Sequence, residues 1–152
     1  MARGPLGMDE ILESVGMVGR DHLDIRTVTL GINLRGCRTP EDVVRHITDT
    51  AADLVPITEA LAAETGIPIV NRRIAVTPIA WVADRPDREL LLDLARALDE
   101  AATTVGVDFI GGFSAMVEKN TSRIDEEVMA ALPAALAETG RVCGSVNVAT
   151  TG

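Results

Sequence analysis

Three times along this chain a glycine separates a helical stretch from an apolar run with strand character: Gly66-Ile-Pro-Ile-Val, Gly106-Val-Asp-Phe-Ile and Gly140-Arg-Val-Cys-Gly. Glycine there can take the left-handed conformation that closes a helix, which side chains with a Cβ resist. The glycines lie 40 and 34 residues apart, room for one strand and one returning helix. Strands joined in this way run parallel, with right-handed crossovers. The recurrence therefore restricts the chain to an α/β fold of repeated βα units on a parallel sheet, as a barrel segment or an open sheet.

The remaining elements fit that frame. A leading helix from Met8 to about Gly19 carries Ile11, Leu12, Val15 and Val18 at helical spacing, with Asp9 and Glu10 at its positive end. Ile25 to Leu34 alternates and is rich in β-branched residues, the pattern of a first strand. Thr39-Pro40-Glu41-Asp42 reads as a helix start, followed by a buried stripe of Val43, Ile47, Ala51, Leu54 and Leu61. Pro56 interrupts that stripe and predicts a kink or two abutting helices. The strand after Gly66 holds Arg72 and Arg73, one of which must point to each face as an anion clamp or an edge charge. Helices follow over Asp87 to Val105, with Leu91, Leu94, Leu98 and Ala101 inward, and over Ser122 to Glu138, with Ile124, Val128, Leu132 and Ala135 inward. Pro133 repeats the kink signal. A last strand spans Val142 to Val148, giving the order αβαβαβαβ. Residues 1–7 are set aside as an N-terminal extension, and 8–152, at 47% apolar composition for the whole chain, make a single α/β domain.

Four parallel strands pose a physical difficulty. Parallel sheets are normally covered on both faces, and an unclosed edge exposes unpaired backbone groups. With the last strand running almost to Gly152, the expectation is that further polypeptide, in the same chain, a complementary chain or a second copy, completes the sheet.

Several function classes are disfavoured. A net charge of −9 and only three aromatic residues oppose a nucleic-acid surface, which needs clustered cations and stacking rings. No apolar run approaches the ~18 residues that span a bilayer, and no secretory leader pattern opens the chain. The reading is a soluble cytoplasmic protein in which Cys37 and Cys143 stay reduced. His22 and His46 lack the paired spacing of a zinc helix and read as structural. Asp125, Glu126 and Glu127 are explained by the helix dipole, Asp99 and Glu100 by a solvated face. No metal or cofactor is readable.

Ligands of parallel α/β folds bind beyond the carboxyl ends of the strands, which selects candidates by geometry alone. After the first strand come Asn33, Arg35 and Cys37; after the second, Thr77 and Trp81; after the third, Gly111, Gly112, Phe113, Ser114 and Lys119; after the fourth, Ser145, Asn147 and Thr150. Two glycines let backbone N–H groups approach a ligand and Ser114 adds a hydroxyl, although a tight strand exit that merely needs positive φ is the plainer reading of Gly111-Gly112. Cys37 lies between Arg35 and Arg38, which would lower its pKa if close in space, and is the candidate nucleophile beside Ser114. No base partner is visible for it, and an inert buried thiol is the plainer reading. Cys143, within an apolar strand, reads as core.

Five segments in fixed order carry a family resemblance: Asp24-Ile-Arg-Thr-Val-Thr-Leu-Gly-Ile-Asn33, Gly66-Ile-Pro-Ile-Val-Asn71, Ala75-Val-Thr-Pro-Ile79, Gly106-Val-Asp-Phe-Ile-Gly-Gly-Phe-Ser-Ala115 and Val142-Cys-Gly-Ser-Val-Asn147. Together they resemble the N-terminal part of uncharacterised protein family 0210, the domain of unknown function 711, over Met8 to Gly152. The resemblance implies a much longer protein, of which this chain is a fragment or split subunit. It also implies an incomplete half barrel similar to the pyruvate formate-lyase-like fold, and a small ACT-type regulatory protein as a partner. Fold does not transfer function, and no glycyl-radical motif is present. Three roles follow: part of a small-molecule enzyme with a strand-end pocket, a ligand-sensing protein without turnover acting with the ACT-type partner, or an inactive half of an assembly. The last is preferred for this chain by itself.

Overall fold

The computed structural model describes residues 7–21, 24–118 and 120–149. Its elements in chain order are α1 (Met8–Gly19), β1 (Ile25–Ile32), α2 (Pro40–Ala51), α3 (Leu54–Thr65), β2 (Ile69–Val76), α4 (Arg88–Val105), β3 (Phe109–Met116), α5 (Arg123–Glu138) and β4 (Val142–Asn147), with a single 3-10 turn at Ile79–Trp81. The four strands form one parallel sheet in sequence order. The repeated βα architecture expected from the glycine spacing is present.

Helix ends follow local chemistry. The Thr39 hydroxyl accepts from the Asp42 N–H at 3.2 Å and Pro40 occupies the first helical position, which starts α2. Asp87 accepts from the N–H groups of Glu89 and Leu90 and starts α4. Gly66 and Gly106 close α3 and α4 at φ 70° and 83°. Gly140 departs from the expectation: Thr139, in extended conformation, ends α5, and its hydroxyl donates to the Ala135 carbonyl at 2.8 Å. The next two N–H groups, of Gly140 and Arg141, donate to Asp99 Oδ1 at 3.0 and 2.7 Å. Asp99 is therefore a partner for the start of β4, not simply part of a solvated face.

Pro56 lies in the first turn of α3, where its missing N–H costs no helical bond, so the helical stretch divides into α2 and α3 as abutting helices. Pro133 does not end α5, which continues to Glu138. Leu61 was expected in the buried stripe and is exposed, because the break re-aims α3 relative to α2. The leading helix forms, yet none of its residues is buried, and Met8, Ile11, Leu12 and Val15 face outward.

One core joins the helices to one face of the sheet. Ile32, Ile74, Ile110 and Val142 from the strands pack with Val43 and Ile47 of α2, Leu91 and Leu98 of α4, and Val128 and Ala135 of α5. Side chains alternate across a strand, so the intervening residues point the other way. On that second face Thr29, Gly31, Arg73, Ala75, Cys143 and Ser145 are exposed. Cys143 is thus on the open face and not in the core, because its register places it opposite to the buried Val142.

Arg72 and Arg73 divide as alternation requires. Arg72 turns toward α3, where its Nε donates to Thr58 Oγ1 at 3.1 Å and its guanidinium lies 4.0 Å from Glu59. Arg73 stands on the open face with its guanidinium 5.8 Å from the centre of the Phe109 ring.

Candidate functional site

The ends of β1 and β2 are tied together by side chains. Asn33 Oδ1 accepts from the Thr77 hydroxyl and from the Arg35 N–H, each at 3.0 Å, while Thr77 Oγ1 accepts from the Leu34 N–H at 3.2 Å. His46, on α2, holds its Nε2 3.2 Å from the Asn33 carbonyl oxygen. These bonds engage Asn33 Oδ1 and the Thr77 hydroxyl, so both residues tie the two strand ends together.

Beyond them the chain turns at Gly36, whose φ of 108° a side chain would strain. The turn sets Arg35 and Cys37 on a cleft of about 320 Å³ against the polar side of α2, whose lining includes Asn33, Asp42, Arg45, His46 and Asp49. The Arg35 guanidinium lies 5.5 Å from the centre of the Trp81 ring, so a residue following β1 and one in the 3-10 turn after β2 meet. Arg45 pairs with Asp42.

Cys37 departs from the expected activated thiol. Its pKa is raised, first by burial and then by the nearby Asp42 carboxylate, while Arg45 opposes both. Neither flanking arginine contributes to the shift. The thiol lies 3.9 Å from the Asp42 carbonyl, to which it donates a weak bond. A thiol in this setting is held protonated, which is poor for a nucleophile. Asp42 has its own pKa lowered, chiefly by the Arg38 N–H and then by Arg45. The acid that receives those donors also adds to the rise that burial gives the Cys37 pKa.

The other candidates lie within the last two strands and not after them. Gly111, Gly112, Phe113 and Ser114 are inside β3, which extends further than its apolar run indicated, and Ser145 and Asn147 are inside β4, whose range Val142–Asn147 falls within the Val142 to Val148 expected. Phe113 is fully buried in the core, so its side chain offers no surface to a ligand. At Gly112 φ is 139°, at a register irregularity between Gly111 and Phe113. A Cβ there would collide with the Val76 side chain and stand 3.0 Å from its carbonyl oxygen. Gly112 therefore permits close strand packing. Gly111 aligns with Ala75 and Cys143 on the open face.

Ser114 and Ser145 are partners across β3 and β4, with hydroxyls 2.9 Å apart. No hydrogen bond found among the described residues connects this pair to the Asn33–Thr77 cluster. Asn147 aligns with Met116, and its carbonyl accepts from the Val117 N–H at 2.9 Å. Lys119, Thr150 and His22 lie outside the described residues. Among the described residues no group of three His, Cys, Asp or Glu side chains is arranged to hold a metal, and no helix is long and apolar enough to cross a membrane.

Asp42, Arg45, His46 and Asp49 had no assigned part in a site, yet all line the cleft. Their spacing along α2 places them on one helical side, a signal present in the sequence but shared by any solvated helix face.

Comparison with known proteins places this geometry in context. Residues 16–152 match the family described as Uncharacterised ACR (DUF711). A protein of Syntrophotalea carbinolica named UPF0210 protein is 52% identical over 149 residues, covering 94% of this chain and 33% of the relative. UPF0210 proteins of Desulforudis audaxviator and Streptococcus uberis are 49% and 47% identical, covering 95% and 93% of this chain and 33% of each relative. The chain spans about a third of the length of the curated relatives it matches.

Proposed function

From the premise that the chain belongs to the DUF711 (UPF0210) family, we propose that it forms the first βα units of a larger α/β barrel, a small-molecule enzyme of the cytoplasm whose pocket opens at the strand ends. The observation that carries this reading is the uncovered sheet face. The shared core lies on one face, while the other presents Arg73, Cys143 and Ser145 to solvent, with Ser114 bonded to Ser145. Parallel sheets are normally covered on both faces, and polar side chains on an otherwise bare face suit the interior of a closed barrel. The further strands required would come from the remaining length that the relatives possess, or from a complementary chain or second copy. A half barrel of the pyruvate formate-lyase-like type meets these conditions.

In this reading Asn33 and Thr77 brace the rim, the Arg35 cleft binds, and the Ser114–Ser145 pair supplies hydroxyls from the barrel wall. The raised pKa of Cys37 argues for a binding or packing part in place of nucleophilic attack.

The test is the native and denatured mass of the protein from its source, combined with alkylation of Cys143. A longer or paired species in which Cys143 is shielded is the expected result. A stable monomer of 152 residues with Cys143 freely alkylated would overturn the larger-barrel reading.

A further inference from the structure

We infer that Arg35 is a clamp for the carboxylate of a small molecule seated in the cleft between the end of β1 and α2. The inference rests on the strand-end pocket proposed above and names the chemistry that one part of it recognises.

The charges around the cleft are unequally committed. Arg45 and Asp42 satisfy each other. Asn33 has its Oδ1 filled by Thr77 and Arg35, and its carbonyl lies against His46. Arg35 differs: its guanidinium is placed over Trp81, and no carboxylate among the described residues lies within ion-pair distance of it. Of the two arginines that line the cleft, Arg45 has such a partner and Arg35 has none among the described residues. The cleft therefore holds one arginine that no neighbouring acid neutralises.

Contact with the ring engages one face of the guanidinium and leaves N–H groups at its edge, the fork that a carboxylate takes in bidentate fashion. Trp81 is itself 52% exposed and Arg35, which lines the cleft, is exposed as well, so the guanidinium is open to a ligand from solvent. Asp49 contributes an exposed carboxylate to the lining. Its charge disfavours a ligand with two negative charges, which selects a single carboxylate over a phosphate dianion. The cleft volume of about 320 Å³ suits a small molecule, and its donors and acceptors suit one with further polar groups.

Trp81 is the sole tryptophan, so its fluorescence reports directly on Arg35. The full chain is titrated with acetate, lactate and phosphate, with chloride at matched ionic strength as control, and amide NMR shifts locate the binding. The expected result is a saturable change with acetate and lactate, with amide shifts at residues 33–42, weakened at least about ten-fold in Arg35→Gln while the circular dichroism is retained. Arg35→Lys keeps the charge without the fork and should lose severalfold in carboxylate affinity; it supplies the comparison if the glutamine variant does not fold. A response that follows ionic strength alone, that survives Arg35→Gln, or that is stronger for phosphate would overturn the inference. Saturable shifts confined to residues 114–118 and 145–147 would remove Arg35 from the role while leaving a strand-end site. Shifts confined to the far sides of α4 and α5 would count against both.

Discussion

Gly112 shows how a residue chosen for one reason can serve another. Paired with Gly111 it has the form of a loop that admits a ligand, yet it lies inside β3, turned to φ 139° against the Val76 backbone and side chain. Gly112→Ala must relieve a collision and hold a Cβ at positive φ together. A loss on the order of 1–3 kcal/mol in denaturant unfolding is expected. A neutral effect would show that β3 relaxes around the bulge. Gly111→Ala meets nothing within 4 Å and should cost much less. Cys37 carries the same lesson for charge. Arginines adjacent in sequence do not set its titration; burial and Asp42, brought close by the turn and by α2, raise its pKa.

Among the elements, the junction of β3 with α5 depends on one acid. Asp125 is buried, accepts from the hydroxyl and N–H of Ser122, and accepts from the Met116 N–H at 3.2 Å, joining the helix cap to the strand end. Burial works to raise its pKa, but the Ser122 hydroxyl, the Ser122 N–H and the Met116 N–H outweigh it, and the pKa is lowered. A carboxyl with a lowered folded pKa contributes stability above its unfolded value, and that contribution disappears as pH falls through the folded value. Asp125→Ala should therefore cost roughly 1–3 kcal/mol at neutral pH. The difference from the parent should narrow on acidification below about pH 4. Chemical unfolding of both proteins between pH 3 and 7 checks this; a constant difference would mean that packing, not the charge-assisted bonds, accounts for the loss. The helix dipole explained this acid from sequence, but the bond to Met116 was hidden because it joins different elements.

At the scale of the whole molecule, β2 and β3 have strand partners on both sides, whereas β1 and β4 each have one. In the isolated chain, backbone amides of β1 and β4 should exchange with solvent before those of β2 and β3, by hydrogen exchange measured at neutral pH. Uniform protection across the sheet would show that the edges are covered by self-association. In a completed barrel the difference should disappear for the same reason.

The order of elements, the parallel sheet and the closing turns at Gly66 and Gly106 were legible in the sequence because they arise from local propensities and from a repeat length that allows few topologies. The strand-end rule also selected Asn33, Arg35, Cys37 and Thr77, which meet or approach one another around the first two strands. The length of β3 was less legible, since glycine, serine and alanine carry weak strand signals and are accommodated by neighbouring strands. Tertiary structure alone decided that Phe113 is core, that Cys143 stands on the open face, that Cys37 stays protonated and that Arg35 meets Trp81. Each depends on register or on contacts between residues far apart in the chain, and a one-residue change of register turns a side chain from one face of a sheet to the other.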